Sequence, residues 1–80
     1  MRIGICDDEE EIRNMLKIKI DAYGKSGEVV SYQSGEELLT EETMPDILFL
    51  DIQMPGIDGM ETAYEVKKRK KESILIFVTA

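Results

Sequence analysis

The 80-residue chain contains no histidine and a single cysteine, Cys6. Histidine-based acid–base chemistry is therefore excluded. Zinc, which takes Cys and His ligands, finds neither in number. Cys6 lies inside an apolar stretch and reads as a small buried hydrophobe rather than a nucleophile or half of a disulfide. Long apolar runs are also missing. The longest, Ile74-Leu75-Ile76-Phe77-Val78, has five residues, against the roughly 20 needed to span a bilayer. No basic segment leads into an apolar core, so no export signal is read and the expected location is cytoplasmic, with no membrane partner. Positive charge is scarce: 10 Lys and Arg face 17 Asp and Glu, for a net charge of −7. That balance argues against direct nucleic-acid binding by this chain. The exception is the block Lys67-Lys68-Arg69-Lys70-Lys71. It falls at the end of a predicted helix, where cations oppose the helix dipole, and reads as a solvated helix end, with a partner-docking patch as the alternative.

What remains is an ordinary globular composition, 42% hydrophobic and 34% charged. A chain of this size makes one small domain that buries roughly 60–65% of its unfolded surface. Its patterns alternate strand and helix. Strand 1 is expected at about 2–6 and helix 1 at about 9–22, with acidic Asp8, Glu9, Glu10 and Glu11 at its start, as the dipole prefers. The apolar stripe of helix 1 is Ile12, Met15, Leu16, Ile20 and Tyr23. Lys19 lies within it, stem along the sheet, and Ile18 points elsewhere. Gly24 to Gly27 form a turn before a short, half-polar strand 2 at 29–32, which suits a sheet edge. Ser34 and Glu37 fit a capping box opening a helix 2 over about 35–42, stopped by Pro45. Strand 3 is expected at 46–50. Helix 3 covers about 58–71, with Met60, Ala63 and Tyr64 facing inward, and strand 4 covers 74–78. Short connections between alternating elements define a right-handed, doubly wound α/β fold with a parallel sheet.

Two of these strands end in aspartate: Ile3-Gly4-Ile5-Cys6 leads into Asp7-Asp8, and Ile47-Leu48-Phe49-Leu50 into Asp51. In an open α/β sheet, ligands collect outside the carboxyl ends of the strands. Asp7, Asp8, Asp51 and Thr79 are expected at that one edge. Carboxylates about 4 Å apart repel by roughly 4 kcal/mol at an effective dielectric near 20, so the cluster makes sense around a hard cation. An all-oxygen donor set with open positions suits Mg2+ or Mn2+. With a cation bound, one carboxylate can act as nucleophile toward phosphorus, and Asp51, at the end of the most apolar strand, is the natural choice. Thr79 could hydrogen-bond a phosphoryl oxygen. Taken singly, each residue has a plainer reading. Asp7-Asp8 are good caps for helix 1, a strand-end Asp or Thr is common, and Asp58-Gly59 is turn and cap chemistry.

The segments Ile5-Cys6-Asp7-Asp8, Phe49-Leu50-Asp51-Ile52-Gln53-Met54-Pro55-Gly56-Ile57-Asp58-Gly59 and Phe77-Val78-Thr79-Ala80 resemble the receiver domain of two-component response regulators. The D-x-x-M-P-x-x-D-G stretch is very specific, and the resemblance spans all 80 residues. The opening Arg2 to Glu9 is similar to receivers that carry LytTR-type DNA-binding output domains. The resemblance implies a flavodoxin-like (CheY-like) fold. It implies Asp51 as phosphoacceptor from a histidine kinase, a donor whose phosphohistidine must sit on another molecule. Asp8 and Asp51 are implied as direct Mg2+ ligands, Asp7 as a ligand through water, and Gln53 as a ligand through its backbone carbonyl. Thr79 is implied as the switch residue, small Ala80 as leaving access to the site, and helix 1 as the kinase-docking surface. Such a domain is a phosphoacceptor in signal transduction, not a multiple-turnover enzyme.

The sequence departs from the family after strand 4. The family's order is 2-1-3-4-5, and its helix 4, strand 5 and helix 5 have no counterpart in residues 1–80, including the strand 5 lysine that pairs with the phosphoryl group. Residues 1–80 therefore read as a partial receiver of order 2-1-3-4, with no output domain. Lys67 to Lys71 are expected at the far end of helix 3 from the acidic edge. An apolar strand 4 left as an edge would seek pairing, which predicts a homo-oligomer formed through strand 4 or by exchange of elements. Two alternatives accompany the signalling reading. One is a receiver fragment that acts as an interaction module without phosphate signalling. The other is an Mg2+-dependent phosphatase of the haloacid dehalogenase type, which wants a second Asp two residues after the nucleophile, where this chain has Gln53.

Overall fold

Strand β1 (Arg2–Cys6) is buried from Ile3 onward and forms the middle of the sheet. In the computed structural model, which describes residues 1–23 and 27–78, it is flanked by parallel strands on both sides. The elements follow as α1 (Glu10–Ala22), β2 (Glu28–Tyr32), α2 (Gly35–Leu39), β3 (Ile47–Asp51), α3 (Gly59–Arg69) and β4 (Ile74–Val78). The sheet order is β2-β1-β3-β4, all parallel, as the alternation of elements predicts. Register places Cys6 beside Tyr32 and Leu50, and Asp51 beside Val78, so the strands finish together at one edge. Of the predicted turn at 24–27, residues 24–26 lie outside the described residues.

The two faces of the sheet are not equally covered. On one face, Cys6, Leu48 and Leu50 pack with Leu38 of α2, Ala63 and Val66 of α3, and Met44 and Met54 from the loops. The other face carries Ile3, Ile5, Ile47, Phe49 and Ile76, and among the described residues α1 is the helix that covers it. Ile3 and Ile5 are buried, but a groove of about 390 Å³ stays open between Leu16 and Ile20 of α1 and Ile47, Phe49 and Ile76 of the sheet. Lys19 lines this groove, as the stripe pattern suggests. No residue of α1 is fully buried, and Met15 and Tyr23, assigned to its inner stripe from the sequence, are exposed. Of its apolar residues, Ile12, Leu16 and Ile20, one per turn, are half-buried. Ile18 is exposed as expected.

Helix α2 is shorter than predicted. Ser34 caps it through Oγ, which accepts from the Glu37 amide at 3.0 Å, while the Glu37 carboxylate accepts from the Gln33 amide rather than from Ser34. The helix stops at Leu39 because Thr40 turns its hydroxyl onto the Glu37 carbonyl at 2.6 Å. Glu41 is drawn away by the Tyr32 hydroxyl at 2.7 Å. Helix α3 begins as predicted, with Asp58 as N-cap. Its inward face is rotated relative to the sequence reading: Gly59, Thr62, Ala63 and Val66 are buried, and Met60 and Tyr64 face solvent. Thr62 can be inward because its hydroxyl donates to the Asp58 carbonyl at 2.8 Å, which satisfies its polar atom.

The basic block at the end of α3 is not simply solvated. Lys67 donates to the carbonyl oxygens of Lys71 and Ser73, Arg69 to that of Leu39, and Lys70 pairs with Asp46 at 2.6 Å. These contacts close the amino-terminal edge of the sheet, where the Asp46 carboxylate also accepts from the Arg2 amide. The Lys70 ammonium holds the Asp46 carboxyl below its usual pKa, with help from that amide. Strand β4 is an edge, and Ile74, Ile76 and Phe77 are exposed on it.

Candidate functional site

Asp7 follows β1 directly, fixed by three contacts. Its amide donates to the Tyr32 carbonyl at 3.1 Å, its Oδ1 accepts from the Glu9 amide at 2.9 Å, and its carbonyl accepts from the Arg13 guanidinium at 2.8 Å. The helix-capping role read for Asp7 and Asp8 is not found: Glu9 occupies the N-cap position of α1 without a side-chain bond, and the Asp7 carboxylate holds only the Glu9 amide ahead of the helix. Asp7 is buried, Asp8 beside it is exposed, and Asp51 at the end of β3 is half-buried. Parallel register carries Asp51 to the same edge. One carboxylate oxygen from each of the three lies within 4.8 Å of the others.

Burial pushes the Asp51 carboxyl above its usual pKa, and the charges of Asp7 and Asp8 add to this, against the opposing hydrogen bond from the Gln53 amide. Burial likewise raises Asp7, partly offset by the Glu9 amide. Among the described residues the side-chain ion pairs involve Arg2 and Lys70, and no ammonium or guanidinium pairs with this triad. The site is thus a concentration of negative charge with an all-oxygen donor set, which fits a hard divalent cation and not zinc. Cys6, adjacent in sequence, is no ligand. Burial pushes its thiol up to about 12, and its Sγ contacts the Met54 sulfur at 3.8 Å.

The loop after Asp51 is built around the site. The Gln53 amide donates to Asp51 Oδ1 at 3.1 Å, while its side chain is exposed. Gly56 has φ +79°, a left-handed conformation that favours glycine. The Gly59 amide returns to the Ile52 carbonyl at 2.8 Å. A Cβ on Gly59 would run into the backbone carbonyl oxygen of Asp51. The Asp-Gly pair, legible in sequence as turn chemistry, therefore also lets α3 start against the Asp51 peptide. Sequence reasoning missed this, and it missed Glu36, whose carboxylate accepts from the Ile57 amide at 2.9 Å. The capping pattern had drawn attention to Glu37 instead. Thr79 and Ala80 lie outside the described residues; β4, which leads to them, ends at Val78 in register with Asp51. Lys67 and Lys70 are at the opposite edge, as expected, engaged with Ser73 and Asp46.

A parallel β2-β1-β3-β4 sheet with a carboxylate triad at its carboxyl edge is the architecture of a receiver. The chain belongs to the response regulator receiver domain family, whose model matches residues 3–80. This membership sets aside the haloacid dehalogenase reading. Among curated relatives, the alkaline phosphatase synthesis transcriptional regulatory protein PhoP of Bacillus subtilis is 31% identical over 99% of this chain and 33% of its own length. The sensory transduction protein LytT of Oceanobacillus iheyensis is 34% identical over 100% and 34%. The response regulator TrrA of Thermotoga maritima, solved in complex with Mg2+–BeF, is 41% identical with a TM-score of 0.88, over 99% of this chain and 69% of that one. TrrA was also solved in complex with the histidine kinase ThkA, and that structure matches with a TM-score of 0.85. The chain thus spans about a third of the length of the curated relatives it matches. These relatives differ in kind, so the similarity does not single out a LytTR-type output. No helix among the described residues is long and apolar enough to cross a membrane.

Proposed function

We propose that this chain is the phosphoacceptor unit of a two-component system, taking a phosphoryl group from a histidine kinase onto Asp51. The observation that carries the reading is the convergence of Asp7, Asp8 and Asp51 within 4.8 Å at the sheet's carboxyl edge, in a member of the receiver family. Asp51 supplies the nucleophilic oxygen. The new bond joins that oxygen to phosphorus as the bond from phosphorus to the donor's imidazole nitrogen breaks, and the electron pair leaves with the imidazole. Asp8 and Asp51 are proposed as direct ligands of Mg2+, or of Mn2+, with Asp7 acting through water and Gln53 through its backbone carbonyl. Bound there, the cation would neutralise charge on the transferring oxygens. The Gln53 amide holds one Asp51 oxygen in place. Thr79 is proposed to hydrogen-bond the phosphoryl group.

A histidine kinase is proposed as the partner, supported by the complex of TrrA with ThkA, and its docking surface is proposed to be α1, which lies beside the site. The unit works in the cytoplasm without multiple turnover, and response regulation, including any transcriptional output, is carried outside residues 1–80. Exposed Ile74, Ile76 and Phe77 on edge strand β4 support pairing with a second copy of the chain through that strand. The same surface favours the second reading, an interaction module that does not signal by phosphate. Incubation with acetyl phosphate and Mg2+, followed by intact mass, separates the two. The signalling reading expects one phosphoryl increment on the wild type and none on Asp51→Asn. An unmodified wild type leaves the interaction module. Light scattering on the same sample tests self-association, and a stable monomer at tens of micromolar contradicts the β4 pairing.

A further inference from the structure

A contact on the loop that follows Asp51 is made by a residue outside the acidic triad. Glu36 stands at the first turn of α2, 15 residues before Asp51, and its carboxylate reaches across to the β3–α3 loop to accept from the Ile57 amide at 2.9 Å. That amide holds the Glu36 carboxyl below its usual pKa, the mark of a bond made to the charged form. Both ends of the contact are held. Helix α2 is anchored by fully buried Leu38 and by the Ser34 cap. Its Gly35 lies so close to Thr62 and Ile57 that a Cβ would collide with both. On the loop side, Gly56 with φ +79° turns its backbone toward Glu36, and a Cβ there would strike the same carboxylate.

We infer that Glu36 is a positioning residue: its carboxylate, bound to the Ile57 amide, clamps the β3–α3 loop and so sets the affinity of the acidic site for its divalent cation. The inference rests on the reading of that site as a cation site. Transmission needs few steps. Three residues separate Gln53 from Ile57, and one of them is Pro55, whose ring fixes φ. The segment is short and tied at both ends, so a displacement at Ile57 bears on the residue whose amide holds Asp51 Oδ1 at 3.1 Å. Buried Met54 pins the loop on its inner side, and Glu36 is the tie on its outer side. The contact also links α2 to the site, so a change at Asp51 has a direct route to that helix.

Groups that hydrogen-bond a metal ligand directly change metal affinity by about 10–100-fold when removed. Glu36 acts one step further out and is exposed, so Glu36→Ala is expected to weaken Mn2+ binding by about 3- to 10-fold, with Glu36→Gln in between. Mn2+ affinity is read by electron paramagnetic resonance on the full chain. The Ile57 amide proton is followed by NMR, where loss of the carboxylate should move it upfield even without metal. Thr40→Ala is the control, removing a side-chain bond at the other end of the same helix. It should lower thermal stability and leave Mn2+ affinity unchanged. A wild type that binds Mn2+ while Glu36→Ala binds it equally well overturns the clamp alone. Equal weakening by Thr40→Ala also overturns it, because the effect would then be one of helix stability. A wild type that binds no Mn2+ overturns the underlying site reading, and the clamp with it.

Discussion

Replacing Asp51 with Asn should stabilise the metal-free protein, although it alters the residue on which function is proposed to depend. The three carboxylates offer oxygens within 4.8 Å of one another. At that separation each pair repels by about 3.5 kcal/mol at an effective dielectric of 20. Asp51→Asn removes two of the three pairs and keeps an oxygen for the Gln53 amide. Asp8 is exposed and Asp51 half so, so water and salt screen most of the repulsion, leaving a net gain of about 1–2 kcal/mol at low ionic strength. For a domain of 60–100 residues each kcal/mol moves Tm by about 4–8 °C, so a rise of roughly 4–16 °C is expected in EDTA. Mg2+ should reverse the ranking of response. At tenfold excess over its Kd it adds about 1.4 kcal/mol to the wild type, and much less to the variant, which has lost a ligand. Circular dichroism melts of both proteins, with EDTA and with Mg2+, carry the test. A variant that melts no higher than wild type in EDTA, and gains as much from Mg2+, would refute the electrostatic account.

The same charges fix the pH response. Asp7 and Asp51 have folded pKa values raised by burial, so their contribution favours the folded state at low pH and is lost as pH rises through the raised values. Metal-free Tm should therefore increase as pH falls from neutral toward the ordinary carboxylate value of 3.8. Asp46 and Glu36 are shifted down, so the stability they supply above their unfolded values is lost as pH falls through their lowered ones. Tm should turn over there, and a monotonic fall from neutral pH would contradict the assignment. Gly59→Ala drives a Cβ into the Asp51 carbonyl and to 2.6 Å from Ile52 Cα. With no side chain able to yield, it should cost about 1–3 kcal/mol in denaturant melts and weaken Mn2+ binding as well; a silent substitution would mean that α3 does not abut the Asp51 peptide. Ile76→Lys, on edge strand β4 where Ile76 is 41% exposed, should abolish self-association in light scattering while leaving Mn2+ affinity intact. Persistent oligomers would move the interface elsewhere.

The strands were legible because a strand buried on both faces is a continuous apolar run: β1, β3 and β4 sit where their runs predict. Caps were legible for a similar reason, since Ser34 and Asp58 use short side chains whose only good local partners are the free amides of a first turn. Helix faces were read less well. Met60 and Tyr64 have the right hydropathy for a core, but Gly59 must lie against Asp51, and that contact fixes the rotation of α3. Thr62 then turns inward and Tyr64 outward. The end of α2 escaped because Thr40 and Glu41 are both compatible with helix, and only their contacts with the Glu37 carbonyl and Tyr32 hydroxyl show why it stops. Likewise, a row of five cations carries no sign of which carbonyls will receive them. The carboxylate triad was legible as a conjunction of strand ends. The supports that hold it, Glu36 and Gly59, were not, because their meaning lies in distances between segments.

The central claim is that the triad binds a divalent cation and presents Asp51 to phosphorus. Fluorine NMR with beryllofluoride and Mg2+ tests it directly, since the adduct mimics a phosphoryl group on a carboxylate. The account predicts protein-bound fluorine resonances in the wild type that need Mg2+ and vanish in Asp51→Asn. Resonances that persist in Asp51→Asn, or none in the wild type at saturating Mg2+, would contradict it.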